Sequence, residues 1–468
     1  MSGKKVLSTV LCTLTFFAVT CAGFAEDVKK AQVQKAELTF SAAYELLLNN
    51  NNALKAASEE INVKKYEKRA AAGEFFPKVG LNSTFAHLND DITVKTPPVS
   101  IGPITANVPA IGLQEKNLWF AGLGATWNIF TGGKILALNS AARAKLYATN
   151  EKYRGLTNSL TVELVKRYYG LRFAEDVVSV AKQVEQTAKK HLEDAEKLER
   201  EGLIAKSERL HAEVAYRRAL RDYNTYLKDA DICREALVSL IKADDVDVSG
   251  VNTVAVSGLF LYEKNLPTLE EIKQKAVSNN PKLKQLDAKS QIAKAAYRAK
   301  AADYSPVLSV FAYDVFAKDN LSAQVPNFAV GASANWKVFD GLSRYNNLKA
   351  ADSFKKQVKF EQIDAKNNIE ALATKHFNEL QKYREQYEST EKELESANEA
   401  LRTATLSFKE GMGTSLQVTD ARTALAGVKI QRLKALYDYD VALAQILAVS
   451  GNANEITEYV NNSKEERL

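Results

Sequence analysis

The chain has 468 residues, 46% of them hydrophobic and 26% charged, with a formal net charge of +6. That composition excludes collagen, low-complexity disorder and a multi-helix membrane protein, and the charge is too small on this length to argue for nucleic acid. Four histidines and three cysteines are a poor supply for metal or nucleophile chemistry. Of the nine prolines, none lies between Ala110 and Leu266 or between Asn327 and Leu468, so long uninterrupted helices are permitted there.

Lys4 and Lys5 precede an apolar run from Val6 to Val19, and Gly23-Phe24-Ala25 supplies the small residues of a cleavage site. This is the pattern of a secretory signal peptide over residues 1–25, cleaved before Glu26, and the run is too short to span a bilayer as a helix. Thr20 precedes Cys21 where lipoprotein signals carry Gly, Ala or Ser, so lipidation is not expected. Removing the segment leaves Cys233 as the single cysteine. It cannot form an internal disulfide and reads as a buried small hydrophobe.

The rest of the chain is written twice. Asn51-Asn52-Ala53-Leu54 resembles Asn280-Pro281-Lys282-Leu283, and Phe76-Pro77-Lys78-Val79 aligns with Ser305-Pro306-Val307-Leu308. Further on, Trp127-Asn128-Ile129-Phe130-Thr131-Gly132 aligns with Trp336-Lys337-Val338-Phe339-Asp340-Gly341, and Glu201-Gly202 with Glu410-Gly411. The spacing between copies shortens by about 20 residues between Leu81 and Ala125, an insert that holds four prolines and reads as a long loop. Repeat 1 is assigned to 26–250 and repeat 2 to 251–450, leaving a polar C-terminal tail over 451–468.

Each copy changes its period in the same order. Residues 41–72 read as one short helix, rich in Ala, Leu, Lys and Glu. A β-hairpin over 79–129 follows, with Trp119, Ala121, Leu123, Ala125, Trp127 and Ile129 alternating with smaller or polar residues. Its counterpart over 307–338 carries Val307, Ser309, Phe311, Tyr313 and Val315, then Phe328, Val330, Ala332, Ala334 and Trp336. Runs of this length suit transmembrane strands of about 9–11 residues, with Trp119, Trp127, Phe328 and Trp336 as membrane-facing aromatics. A half-buried soluble hairpin has the same alternation.

Long helices are expected over 133–200 and 342–409, each about 100 Å at ~1.5 Å per residue. Val177, Ala181, Val184, Ala188, His191, Ala195 and Leu198 recur at coiled-coil spacing, with small residues that allow close packing. Glu201-Gly202-Leu203 and Glu410-Gly411-Met412-Gly413 break the helices, and further helices follow over 205–242 and 414–449. The lengths suggest that two shorter helices stack end to end beside each long one. Both hairpins then sit at one end and both glycine turns at the other. Four strands cannot close a membrane barrel, for which about eight is the minimum, so oligomerisation is required.

This layout resembles the TolC-type outer-membrane efflux protein family, over essentially the whole chain from Leu38 to about Gly451. The residues that carry the resemblance are Asn279-Asn280-Pro281-Lys282-Leu283, the paired Phe-x-Gly turns at Gly132 and Gly341, and Phe408 through Arg422. It implies a mainly α fold with a small β part, in which three chains share an α-helical barrel and a transmembrane β-barrel. It also implies an outer-membrane duct for a tripartite efflux pump or type I secretion. The partners are then a periplasmic adaptor, an inner-membrane pump or ABC transporter, and outer-membrane lipid, with no nucleic acid. The family's acidic periplasmic gate maps onto Asp420 at the inner position and Gln417 at the outer, which leaves a single carboxylate ring. Its interhelix lock maps onto Phe408, a ring without the hydroxyl, while Gly413 stands where the family has a basic residue. The turns Glu201, Gly202, Leu203, Glu410, Gly411, Met412 and Gly413 would dock the adaptor.

Other chemistry is poorly supported. Asp245-Val246-Asp247-Val248-Ser249-Gly250 begins like a calcium loop, but Val256 stands where a bidentate Glu is needed. Gly122-Leu123-Gly124 lies inside a strand pattern and opens no helix, so it is no phosphate loop. His191 and His376 fall on apolar stripes and read as packed. No cofactor is expected, and no nucleophile, base and orienter combine into an enzyme site. The alternative to a duct is a periplasmic structural or adhesive coiled-coil protein without channel activity.

Overall fold

The computed structural model describes residues 38–95, 97, 99–106, 111–241, 267–322 and 325–462. The signal segment, the calcium-like loop and most of the join between repeats lie outside them. In chain order, helices α1 (Phe40–Asn50) and α2 (Asn52–Gly73) lead into strand β1 (Lys78–His87). Four short strands follow: β2 (Ile92–Val94), β3 (Val99–Ile101), β4 (Ile104–Ala106) and β5 (Ile111–Gln114). Then come β6 (Asn117–Phe130), α3 (Lys134–Arg200) and α4 (Lys206–Ile241). The second half repeats the order with α5 (Leu269–Asn279), α6 (Pro281–Ala302), β7 (Val307–Asp319), β8 (Phe328–Asn335), α7 (Ser343–Lys409) and α8 (Ser415–Val449). A short 3-10 turn and α9 (Ile456–Asn462) follow. The α3 and α7 helices are 67 residues each, and α2 and α6 are 22 each.

The stretch 41–72 is two helices, because Asn51 takes an extended conformation (φ −66°, ψ 119°) and its side chain caps the next helix. Asn280 does the same between α5 and α6. Each asparagine has a second role. The Asn51 Oδ1 accepts from the Ala53 and Leu54 amides, while its Nδ2 donates to the Leu240 carbonyl at 3.2 Å. The Asn280 Oδ1 accepts from the Lys282 amide, and its Nδ2 donates to the Val449 carbonyl at 2.8 Å. One amide therefore starts α2 on the end of α4, and the other starts α6 on the end of α8. Orphan N–H groups of one helix and orphan C=O groups of the other are satisfied at a single joint.

Around these joints lies the main core. Phe40 packs edge-on to Tyr168 (5.3 Å) and stacks near Tyr169 (5.9 Å), and all three are buried. The same cluster takes in Leu164, Leu237 and Ile241 from the first repeat, and Leu380, Leu436, Tyr439 and Leu443 from the second. The long helix α3 packs on α2, α4, α6 and α8, and α7 on α5, α6 and α8. Residues 451–462 are not a free polar tail. Gly451 (φ +86°) turns the chain against Asn279, and Ala453 and Ile456 are buried in the core. Cys233 is only half-buried, at the edge of that core.

The sheet at one end has the order β1-β6-β7-β8, all antiparallel. The insert is more than a loop: β2 pairs with β5 and β3 with β4, so it forms short two-stranded ribbons beyond the β1–β6 hairpin. Cross-strand partners share a face. One face carries Val79, Leu81 and Phe85, paired with Ala125, Leu123 and Trp119. It continues through Val310 and Ala312 to Ala332 and Val330. The opposite face carries Asn82, Thr84, Thr126, Asn128, Ser309 and Ser333, with Phe311 and Tyr313 among them. Ser309 pairs with Ser333, so Val307, Phe311 and Tyr313 lie on the face opposite Phe328 and Val330. Register shifts near Ala121 and Gly122 leave Phe316 without a partner in β6, so Ala317 and Asp319 beyond it lie on the face opposite Phe311 and Tyr313. A side chain at Gly122 would collide with the Asp314 carbonyl, which is why glycine stands there. No described helix is long and apolar enough to cross a membrane.

The joint separates cap from bridge. Asn280→Asp keeps the cap oxygen but removes the donor to Val449 and sets a carboxylate against the negative end of α8. It is expected to destabilise the protein by about 1–2 kcal/mol, while Asn280→Ser, which retains a cap alone, loses less than Asn280→Ala. Thermal unfolding of the three variants checks the ranking.

Candidate functional site at the helical tips

Two glycines with φ of +73° and +75°, Gly202 and Gly411, end the long helices at the pole opposite the sheet. The turns share one hydrogen-bond pattern. The Leu203 amide donates to the Leu198 carbonyl and the Gly202 amide to Glu199 (both 2.9 Å); Met412 donates to Ser407 (2.9 Å) and Gly411 to Phe408 (3.0 Å). This left-handed helix ending satisfies two orphan carbonyls and needs glycine at the positive φ. It leaves Leu203 and Met412 at 64% and 76% exposure, one apolar side chain on each tip. Glu201 and Glu410 are exposed beside them, and Gly413 is half-buried, where an added Cβ would press on Ser407 and Phe408 at 3.0–3.1 Å.

The helices leaving the turns begin differently. Thr414 caps α8, accepting from the Gln417 amide (3.3 Å), and the Gln417 Oε1 accepts from the Thr414 amide (2.9 Å). The Gln417 side chain is therefore engaged with its own helix start, although exposed. The matching residue of the first repeat, Glu208, reaches across instead and accepts from the Ser415 amide at 2.7 Å. It joins the first tip to the second. Arg209 ties the first tip internally, pairing with Glu199 (2.7 Å) and Glu213 (2.8 Å). Asp420 is exposed on the second turn of α8.

Phe408 is buried within the protomer, in a small second core with Ala195, Ala212 and Val418. Its ring lies 4.5 Å from that of His191, whose Nε2 is hydrogen-bonded to the Ser415 hydroxyl at 2.7 Å. Burial, helped by the nearby Arg422 charge, lowers the His191 pKa from 6.5 to about 4 against the opposing pull of Asp194 and Glu208. The imidazole is neutral at physiological pH. Sequence reasoning found His191 as a packed residue but missed Glu208, Ser415 and Arg422. The one sequence signal was Glu208 standing at the repeat position of Gln417.

At the sheet end, the Trp127 Nε1 donates to the Phe75 carbonyl (2.8 Å) and the Trp336 Nε1 to the Tyr304 carbonyl (3.1 Å). The repeats thus share an indole anchor between the returning strand and the turn that precedes the hairpin. Trp336 lies just past the end of β8 rather than in it, and Phe328 opens that strand. Trp119 sits within β6, bonded to Ser83 (3.0 Å). Among the described residues no group of three or more His, Cys, Asp and Glu side chains is placed to hold a metal ion.

Because the folded His191 has the lower pKa, the unfolded chain takes up the proton first. Its contribution to stability is complete above about pH 6.5 and is lost as pH falls towards 4. Between pH 6.5 and 5 the wild type is expected to lose up to about 1.4 kcal/mol per pH unit more than His191→Gln. Parallel denaturation curves across that range measure the difference.

A profile of the outer membrane efflux protein family matches residues 43–241 and 272–452. No curated protein matches the chain. Among solved structures, the outer-membrane channel OprN is 18% identical with a TM-score of 0.73, covering 88% of this chain and 90% of that one. The outer membrane protein VceC from Vibrio cholerae is 14% identical (TM-score 0.72; 88% and 96% covered). The Campylobacter jejuni CmeC outer membrane channel is 16% identical (TM-score 0.72; 91% and 90% covered). With its mainly helical fold and small sheet matching these channels, and the family profile covering both halves, the chain belongs to the outer membrane efflux protein family.

Proposed function

We propose that the chain is the exit duct of an envelope-spanning export system, a passive conduit formed by three copies in the outer membrane. The observation that carries this reading is the sheet. Its Val79, Leu81, Phe85, Phe328 and Val330 face is exposed and mostly apolar, interrupted by Asp314 and Asp319, and its other face carries most of the polar residues, with Phe120, Phe311 and Tyr313 among them. Strands β1 and β8 each pair on one side only among the described residues. Open edges and an apolar face are costly in water, and in lipid every backbone group must be paired. Three four-stranded sheets closed edge to edge give twelve strands, an even number within the range of bacterial barrels, with the apolar face to lipid and the polar face to the lumen. Trp127, Trp336, Trp119 and Phe328 then lie towards the membrane boundaries, where amphipathic rings are favoured.

In this reading the 67-residue helices, about 100 Å long, carry the tunnel across the periplasm. Asp420 from three copies makes one carboxylate ring at the narrow end, which attracts cations; Gln417, held in its capping box, adds no charge. Leu203 and Met412, with the flanking glutamates, form the tip that a periplasmic adaptor grips. An inner-membrane pump or ABC transporter supplies the energy, either for efflux of small molecules or for one-step secretion.

The full chain is expected in the outer-membrane fraction as a detergent-resistant trimer that conducts in planar bilayers. Recovery in the soluble periplasmic fraction without conductance would favour the structural coiled-coil reading instead. In the same recordings, Asp420→Ala should lower the cation-to-anion permeability ratio severalfold and weaken block by divalent cations. Unchanged selectivity would remove Asp420 from the gate.

A further inference from the structure

Just inside the tips, α3, α7 and α8 enclose a cleft of about 180 Å³ lined in part by Lys190, His191, Asp194, Phe408, Lys409 and Arg422. Liquid water occupies about 30 Å³ per molecule, so the space holds a small ion with a few waters. Arg422 reaches it from the second turn of α8 and is only 7% exposed. Its buried Nε has no hydrogen-bond partner among the described residues. An arginine stays charged at any physiological pH, and a buried charge without a counter-ion is strongly disfavoured. A guanidinium presents five N–H donors in a fork that matches carboxylate and phosphate oxygens.

The surroundings do not supply that counter-ion. Asp194 is the carboxylate of the cleft and approaches Lys409 at 4.0 Å. Glu208, the next acid near His191, accepts from the Ser415 amide. His191 is neutral, with its Nε2 held by Ser415. Lys190, Lys409 and Arg422 thus outnumber the one acid that lines the space.

We infer that this cleft binds a small oxyanion, of the phosphate or carboxylate class, on Arg422 with Lys190 and Lys409 at its mouth. The bound anion bridges α8 to α3 and α7 and resists their separation next to the tip turns. The cleft lies within one protomer, so its anion binding stands whether or not the chain forms a duct.

The test is thermal unfolding of the full chain in detergent, in phosphate or chloride at matched ionic strength, with phosphate binding measured by calorimetry. The wild-type midpoint should rise with the logarithm of phosphate concentration beyond any chloride effect. Arg422→Met should lose that dependence, and in phosphate-free buffer it should be at least as stable as the wild type, since it removes an uncompensated buried charge. Lys190→Gln, which leaves the buried residues in place, should weaken the phosphate Kd about tenfold. Asp194→Asn, which removes the competing carboxylate, should tighten it. Equal responses to phosphate and chloride would overturn the inference, as would a phosphate effect that survives in Arg422→Met, the mark of general salting-out. So would a wild type blind to phosphate whose Arg422→Met variant dissociates, because the counter-ion would then be a carboxylate of a second copy.

Discussion

A helix in a protein draws most of its stability from packing its apolar face, and the rest of this structure follows from covering two helices of 67 residues. Each must be flanked along most of its length by helices that begin and end partway, and every such break exposes unpaired backbone groups. The chain solves this with one amide at each break. Asn51 and Asn280 cap the helix they start and donate to the last turn of the helix they abut. The aromatic core of Phe40, Tyr168 and Tyr169 gathers at that level, where the most helices meet.

From that joint the molecule runs to two ends with different chemistry. Towards the sheet, residues alternate between an apolar exposed face and a largely polar one, and glycines appear where strands or rings approach closely. Gly331 lies under the Phe311 ring and Gly122 against the Asp314 backbone. Towards the tips the helices carry coiled-coil spacing, small buried residues and then polar groups that link one hairpin to the other. The Glu208–Ser415 and His191–Ser415 bonds make the two tips one unit within the protomer. These buried polar groups hold helices of the two hairpins to one another.

The shared element order of the halves makes their differences informative. At matching positions Glu208 reaches across to the other hairpin, whereas Gln417 closes a local capping box. Gly132-Gly133 meets the strand-to-helix turn with two glycines, while the second half holds Leu342 at φ +67° in the same place. The first hairpin carries extra ribbons and the second does not. Divergence thus falls on turns and caps, where one side chain can change partners without disturbing a helix–helix face.

Much was legible in the amino-acid sequence because it rests on local rules. The missing prolines allow the long helices, Gly202 and Gly411 mark their ends, and the period-two runs mark the strands. Non-local features were not legible. The break at Asn51 stands within Asn49-Asn50-Asn51-Asn52, residues that favour caps over helix interiors, but its second partner is a carbonyl at Leu240, far away in the chain. The facing of β7 depends on its register against β8, Ser309 to Ser333, which periodicity cannot detect, because a slip of one residue inverts every side chain. The residues after Gly451 look polar, yet Ala453 and Ile456 close the core once Gly451 turns them against Asn279. Sequence by itself determined the long helices, the main strands, their order and the family resemblance. Only the tertiary structure decided which helix ends abut, which strand face is apolar and that the Arg422 Nε lies buried without a partner. Those are properties of pairs of residues brought together from different parts of the chain.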